Sequence, residues 1–158
     1  MNSRFLSSSE ELRIPEALTL AHEELRAELI RWAREPGRIG KAAERVARLC
    51  DAHFAREEDN VLRAFGMLHD MASDRVRPDA AAVAKIVARF GTQNDALHGQ
   101  HHAINAAVAN LLQHGRKQEI REIAEVVTML REHEKIESEV VYPAVVEIVR
   151  SVQAGMRI

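Results

Sequence analysis

Apolar residues recur at helical spacing along most of the chain and fall into four stretches. Three breaks, at 35–40, at 73–79 and around 114–115, separate them with glycine, proline or polar residues. The pattern predicts helices over about 15–34, 40–72, 79–114 and 117–151. The predicted core positions are Leu18, Leu25, Leu29 and Trp32 on the first helix, Val46, Leu49, Ala64, Met67 and Met71 on the second, Val83, Val87, Phe90, Leu97, Ile104, Val108 and Leu111 on the third, and Ile123, Val126, Leu130, Val140, Ala144 and Ile148 on the fourth.

Short turns between long helices make consecutive helices antiparallel neighbours. We therefore predict an all-α fold, an up-down-up-down four-helix bundle, with a single domain over 1–158 and an N-terminal arm over 1–14. A net charge of −2 gives no field that would attract nucleic acid or an anionic membrane. No apolar run approaches the roughly 20 residues of a membrane span, and the N-terminus lacks the apolar segment of a signal peptide. The single cysteine, Cys50, suits the reducing cytoplasm.

One short motif occurs twice in the chain. His53 is followed four residues later by Glu57, and His133 is followed in the same way by Glu137. On a helix, residues four apart point off the same face, so each pair presents an imidazole beside a carboxylate. Two such pairs, with further histidines, are sufficient for a two-metal site inside a helical bundle.

Histidines from all four predicted helices should lie at one height in the bundle. In an antiparallel hairpin, residues equally far from the turn are neighbours, and His22 and His53 each lie about 15 residues from the first turn. The cluster over 98–102 matches His53 across the second turn and His133 across the third. At about 1.5 Å per residue, the remaining mismatches amount to a few ångströms.

The same histidines should also face the core, at about 100° per residue along a helix. His22 and His53 share faces with core residues, and His101 is the most inward of its cluster. The side chains expected to face the core beside His133 are Val126, Met129, Glu137, Val140 and Ala144. Those expected to point away from the site are Glu58, Glu134 and Tyr142. No inward proton donor stands out next to the predicted site.

Burying so many polar side chains without a common partner would be costly, and a metal ion supplies that partner. Nitrogen and oxygen ligands without a thiolate suit iron, manganese or zinc. Two ions bridged by Glu57 and Glu137, each with two imidazoles, would leave an open position on each ion. Cys50 is expected to be a buried, inert thiol, and His69 a surface or bundle-end residue.

These motifs resemble the hemerythrin-like family, the HHE cation-binding domains. The resemblance rests on AHEELRAEL, HFAREEDNVL, QHHAINAAV and HEKIESEVVYP, and it covers about residues 15–150. It implies a cofactor of two iron ions, Fe²⁺ or Fe³⁺, joined by an oxo or hydroxo bridge, with manganese or zinc as alternatives. The metal ligands that it implies are His22, His53, Glu57, His101, His133 and Glu137.

The third helix leaves two alternatives open. Oxygen-carrying members of the family place two histidines four residues apart on this helix, and His98 and His102 have that spacing. His98 is the first candidate for an additional ligand, because it also lies three residues before His101. His102 is the second candidate, and His98 and His102 together could also replace His101; either arrangement would give an asymmetric, carrier-like site. With His101 alone, the site would have four histidines and two glutamates and would be more symmetric.

The resemblance implies a protein that binds or senses dioxygen, or nitric oxide, at an open iron position. The alternative is a di-iron enzyme that handles peroxide or nitric oxide, or that donates iron for cluster repair. The expected partners are therefore a diatomic ligand or peroxide, without nucleic acid or membrane. The charged helix faces could also form a homodimer interface.

Overall fold

The structure, a computed structural model, describes residues 16–64 and 80–155, and it is helical apart from two short connections within these ranges. Helix α1 spans Glu16–Ala33, and α2 spans Gly37–Glu57 and continues as a π-helical turn, π1, over Glu58–Leu62. Helix α3 spans Ala80–Lys117. Helix α4 spans Arg121–Ile136 and passes through a second π-helical turn, π2 (Glu137–Val141), into α5 (Tyr142–Gly155). No strand occurs within 16–64 or 80–155.

Helices α1, α2 with π1, α3, and α4 with π2 and α5 form four continuous helical segments. These segments enclose one apolar core. Helix α1 packs against α2, α2 against α3, α3 against α4, and α4 against α1, so each has two neighbours. The core includes Leu25, Leu29, Trp32, Ile39, Val46, Phe54, Ile104, Val108, Leu111, Ile123, Val126 and Leu130, with members from all four segments. The prediction of an all-α fold with four helical segments is therefore confirmed for this part of the chain. None of its helices is long and apolar enough to cross a membrane.

Some predictions concern residues that lie outside the described ranges. These are the N-terminal arm over 1–14, the break at 73–79, Met67, His69 and Met71. The side chains of Val83, Val87, Phe90 and Ile148 also lie outside the description.

The first predicted break is a tight connection in which α1 and α2 pass close together. Gly37 has a φ of 80°, a backbone conformation that residues with a side chain rarely adopt. A Cβ on Gly40 would lie 1.8 Å from the carbonyl oxygen of Glu35. The connection lies at the predicted break but ends earlier, because α2 begins at Gly37, and Gly40 inside α2 leaves room for the Glu35 carbonyl.

The third predicted break lies a few residues later than expected. Gly115 is inside α3, where it allows close packing, since a Cβ there would lie 2.9 Å from Cγ2 of Ile123. The chain reverses at Glu119, with φ 56°, and the Ile120 N–H donates to the Gly115 carbonyl at 3.0 Å. This bond closes the end of α3 in the manner of a Schellman motif. Gly115 is therefore a packing position inside α3 and not the helix end that the sequence predicted.

The core face of the last helix differs from the prediction by one residue from π2 onward. Val140, predicted to face the core, is 56% exposed, while Val141 is 2% exposed and Val145 is fully buried. Ala144 is only partly buried. The prediction that Met129 faces the core was also wrong, since it is 37% exposed, but it precedes π2 and the π turn does not account for it. A π-helical turn contains one residue more than an α-helical turn, so later side chains rotate by about 100° relative to a regular helix. The prediction for Val140 was wrong because it assumed a regular helix.

Candidate metal centre

All six predicted ligands lie together inside the bundle. His22 comes from α1, His53 and Glu57 from α2, His101 from α3, His133 from α4, and Glu137 from the first residue of π2. Five of them are buried, and the His101 side chain is only 12% exposed. The structure thus brings together the six side chains that the helical register predicted would meet. The role of these residues as metal ligands stays a prediction.

The six side chains form two groups of four that share both glutamates. His22 and His133 form one group with Glu57 and Glu137, and His53 and His101 form the other with the same two carboxylates. Within each group, the candidate ligand atoms lie within 4.8 Å of one another. We call the space between His22 and His133 position I, and the space between His53 and His101 position II. Each position could hold a metal ion.

Glu137 reaches both positions with different oxygens. Its Oε1 lies 2.5 Å from Nε2 of His133 and 3.5 Å from Nε2 of His22, both at position I. Its Oε2 lies 3.5 Å from Nε2 of His101 and 3.7 Å from Nε2 of His53, both at position II. A carboxylate in this orientation can bridge two ions with one oxygen on each.

Glu57 reaches both positions with the same oxygen. Its Oε2 lies 3.5 Å from Nε2 of His22 and 3.5 Å from Nε2 of His53. Its Oε1 instead accepts a hydrogen bond from the hydroxyl of Tyr142. The two glutamates therefore differ in orientation, although their motifs have the same spacing.

Most inner atoms of the cluster lack hydrogen-bond partners, although Nε2 of His53 and Nε2 of His101 lie 2.9 Å apart. Among the described residues, the buried side-chain atoms without such a partner include Nε2 of His22 and His133, Oε2 of Glu57, and both carboxylate oxygens of Glu137. A buried polar atom without a partner costs roughly 1–3 kcal/mol, and more if it is charged. A cation at each position would give these atoms a partner, so the donor set fits bound metal.

The outer nitrogens of two histidines are hydrogen-bonded in a way that directs Nε2 inward. Nδ1 of His22 lies 2.9 Å from Oε1 of Glu58, which also accepts a bond from Arg26 at 3.1 Å. Because a carboxylate only accepts, Nδ1 must carry the proton, which leaves the Nε2 lone pair for a metal. Nδ1 of His53 lies 3.3 Å from the amide oxygen of Gln100. Glu58 was predicted to face water, but its side chain is only 25% exposed and supports His22.

The cluster also shifts the pKa values of its members. Burial acts to lower the pKa of His22, but the nearby carboxylates of Glu137, Glu57 and Glu58 outweigh it and raise the pKa to about 9. Burial acts to raise the pKa of Glu137, but the surrounding imidazoles hold it well below its usual range. Burial and the charge of Glu137 raise the pKa of Glu57. Without metal, therefore, the His22 ring carries a second proton, and its positive charge balances part of the carboxylate charge.

Tyr142 belongs to the site, contrary to the prediction from the sequence. It is buried, its hydroxyl donates to Glu57, and its oxygen lies 3.5 Å from Nε2 of His101. In a regular helix it would point about 180° from His133, but the extra residue of π2 reduces this angle to about 80°. Burial and the charge of Glu57 raise the pKa of Tyr142 well above its usual range, so the phenol stays neutral. Pro143, directly after Tyr142, was a local sign of an irregular helix here, because it cannot donate the hydrogen bond to the residue four positions before it.

The other candidates lie outside the two groups. His98 and His102 are exposed, and neither joins a candidate metal group. The His98 ring packs edge-on against Tyr142, with centroids 5.7 Å apart. Glu134, expected to point away, is partly buried and accepts a bond from Asn105 at 2.9 Å. Cys50 is buried as predicted, and burial raises the pKa of its thiol to about 12.

No protein-family model, curated protein or solved structure shows a significant match to the chain. The resemblance to the hemerythrin-like family therefore rests on the sequence motifs alone.

Proposed function

We propose that the protein is a hemerythrin-like non-haem di-iron protein with the up-down-up-down topology of that family. The single observation that carries the proposal is the pair of ligand groups that share Glu57 and Glu137. Sharing both carboxylates is an economical way to hold two cations close together, because each cation is neutralised by anions that also serve the other. Isolated buried histidines would not produce this pairing.

The donor set supports iron. Each position offers two imidazole nitrogens and carboxylate oxygens, a set that suits iron, manganese or zinc. Cys50 is buried and belongs to neither group, so no thiolate enters the set. Iron supplies the redox chemistry and the Lewis acidity that binding of dioxygen requires. We also propose a cytoplasmic location, where a reduced Cys50 and ferrous iron both persist.

We propose that the function is to bind or sense dioxygen, or nitric oxide, at a position that the protein ligands leave open. Four protein residues converge on each position, fewer than the six donors of an octahedral ion. The residues of the chain fix the ion, hold the imidazoles in one tautomer and exclude bulk water, since the cluster is buried. For example, His22 would bind the ion through Nε2, while Glu58 holds the imidazole ring by the hydrogen bond to its Nδ1.

A second function, reduction or disproportionation of peroxide, is favoured by Tyr142. Such chemistry needs a proton donor next to the reacting ligand. The buried hydroxyl of Tyr142 lies against Glu57 and near His101, at position II. The sequence offered no such donor, so the structure strengthens this enzymatic alternative.

Metal analysis and optical spectroscopy together test the proposal. Protein prepared with ample iron should contain about two iron ions per chain. The reduced protein should develop a visible band in air that disappears under vacuum if it binds dioxygen reversibly. Direct conversion to the ferric form, with turnover of added peroxide, would favour the enzyme instead. An iron content well below one per chain in a folded protein would refute the di-iron proposal.

A further inference from the structure

The two motifs carry different residues at one equivalent position. Leu62 lies nine residues after His53, and Tyr142 lies nine residues after His133. In a regular helix both would point about 180° from their histidines. Each instead follows or ends a π-helical turn, π1 or π2, and both are buried. The π turns thus rotate this position inward in both motifs, but only the second motif has a hydrogen-bond donor there.

This donor accounts for the different orientations of the two carboxylates. The Tyr142 hydroxyl occupies Oε1 of Glu57, so that only Oε2 of Glu57 points toward both positions. Glu137 has no hydrogen-bond partner on either oxygen among the described residues, and its two oxygens divide between the positions. A leucine has no group that could restrain a carboxylate in the same way.

We infer that Tyr142 is a positioning residue that holds Glu57 as a one-oxygen bridge and thereby makes the two metal positions unequal. The inference rests on the proposed two-metal site. Oε1 of Glu57 and the Tyr142 hydroxyl both lie on the side of His101, at position II. While the phenol holds Oε1, that oxygen does not occupy a coordination place at position II. The place stays available to an external ligand, which would lie beside the phenolic hydroxyl.

The variant Tyr142→Phe tests the inference because it removes the hydroxyl and keeps the ring. Without the hydroxyl, Oε1 of Glu57 becomes an unpartnered buried oxygen, and its nearest use is as an extra donor at position II. The control is Thr128→Val, which removes a hydroxyl that bonds the Ala124 carbonyl on the exposed face of α4. Cobalt(II) added to the metal-free proteins is the probe, because its visible absorption weakens as its coordination number rises.

We expect wild type, Tyr142→Phe and Thr128→Val each to bind two cobalt ions. In Tyr142→Phe, the visible absorption should weaken, and the metal–metal distance from X-ray absorption should lengthen as Glu57 becomes a two-oxygen bridge. The affinity of one position should change by about tenfold, a typical effect of a residue that supports a ligand. Thr128→Val should match wild type in all three measurements.

Several results would overturn the inference, and they differ from failure of the proposed function. Two cobalt ions with unchanged absorption and distance in Tyr142→Phe would refute the role of Tyr142 alone. A phenolate-to-iron absorption band in the ferric protein that disappears in Tyr142→Phe would show that Tyr142 is a ligand rather than a positioning residue. If wild type itself binds no second ion, the two-metal proposal fails. If Tyr142→Phe does not fold, Tyr142→Met, which also fills the space without a hydroxyl, is measured against the same expectations.

Discussion

The two His-x-x-x-Glu motifs have the same spacing, and both lead into a π-helical turn, yet their carboxylates have different surroundings. Glu57 has one oxygen on the Tyr142 hydroxyl and the other directed toward both metal positions. Glu137 has two buried oxygens without hydrogen-bond partners in the described part of the chain, one directed toward each position. Identical spacing therefore does not give identical roles. The difference arises from a residue nine positions beyond each histidine.

The two metal positions differ on their outer sides as well. At position I, His22 is supported by the charged Glu58, which Arg26 also contacts. At position II, His53 is supported by the neutral amide of Gln100 at a longer distance. A charged acceptor makes the imidazole a stronger ligand than a neutral acceptor does. We therefore expect position I to be the tighter and position II the more open of the two.

Loss of Glu137 should have the largest effect on this comparison. Glu137→Ala removes the one residue that gives a separate oxygen to each position, so we expect both metal ions to be lost. Glu57→Ala should retain more metal, because Glu137 would still serve both positions. Elemental analysis of the purified variants measures the content, with the exposed Glu139→Ala as control. Equal losses in Glu57→Ala and Glu137→Ala would contradict the difference between the motifs.

Removing one histidine should empty one position and spare the other. We expect His133→Ala to lose the ion at position I and His101→Ala the ion at position II, each leaving about one ion per chain. The matched controls are His98→Ala and His102→Ala, because both side chains are exposed and lie outside the two groups. Loss of metal in His98→Ala would show that His98 is a ligand, as in the carrier-like alternative.

The supports of the histidines should come next in size. Glu58→Gln keeps a hydrogen-bond acceptor for His22 but removes its charge, and we expect metal affinity at position I to fall about 10-fold or more. Gln100→Leu should weaken position II less, since the bond that it removes is longer and neutral. Titration with zinc followed by calorimetry measures both affinities. A larger effect for Gln100→Leu would reverse the assignment of the tighter position.

Metal affinity should also rise with pH. The raised pKa of His22, about 9, means that metal must displace a proton below that pH, so affinity should increase about tenfold per pH unit toward 9. In the metal-free protein, the raised pKa of His22 makes the folded state less stable as the pH rises. Its contribution to stability is fully present below the unfolded pKa of about 6.5 and is lost as the pH rises through about 9.

The increase in Tm on adding metal should therefore grow from pH 6.5 toward pH 9, which thermal unfolding with and without zinc measures. In Glu58→Gln the growth should end at a lower pH, because one of the carboxylates that raise the pKa of His22 is gone. A difference in Tm that shrinks as pH rises would contradict the competition between metal and proton.

The smallest effect concerns the register after π2. Val141→Ala should lower the free energy of unfolding by about 2 kcal/mol, because it removes buried methyl groups. Val140→Ala should change it by less than about 0.5 kcal/mol, since Val140 is exposed. Chemical denaturation of the metal-free proteins compares the two variants. The opposite order would mean that this segment is a regular α-helix.

Local rules were sufficient for the helices and for the six candidate ligands. Apolar periodicity predicted the four helical segments, and the heights of the histidines along antiparallel helices predicted that His22, His53, His101 and His133 would meet. Both arguments depend only on the rise and rotation of a regular helix. They held for the candidate ligands of α1, α2 and α4 up to Glu137, where the backbone is regular, although Met129 in α4 is exposed.

The same rules failed where the backbone departs from a regular helix. Val140 lies in π2 and Tyr142 directly follows it, and both were assigned to the wrong face, because periodicity does not register an extra residue in a turn. Glu58 was assigned to water because its partners, His22 and Arg26, come from another helix. The sequence by itself determined which residues could form the centre. Only the tertiary structure decided how each carboxylate points, because that depends on π turns and on contacts between helices that helical periodicity does not describe.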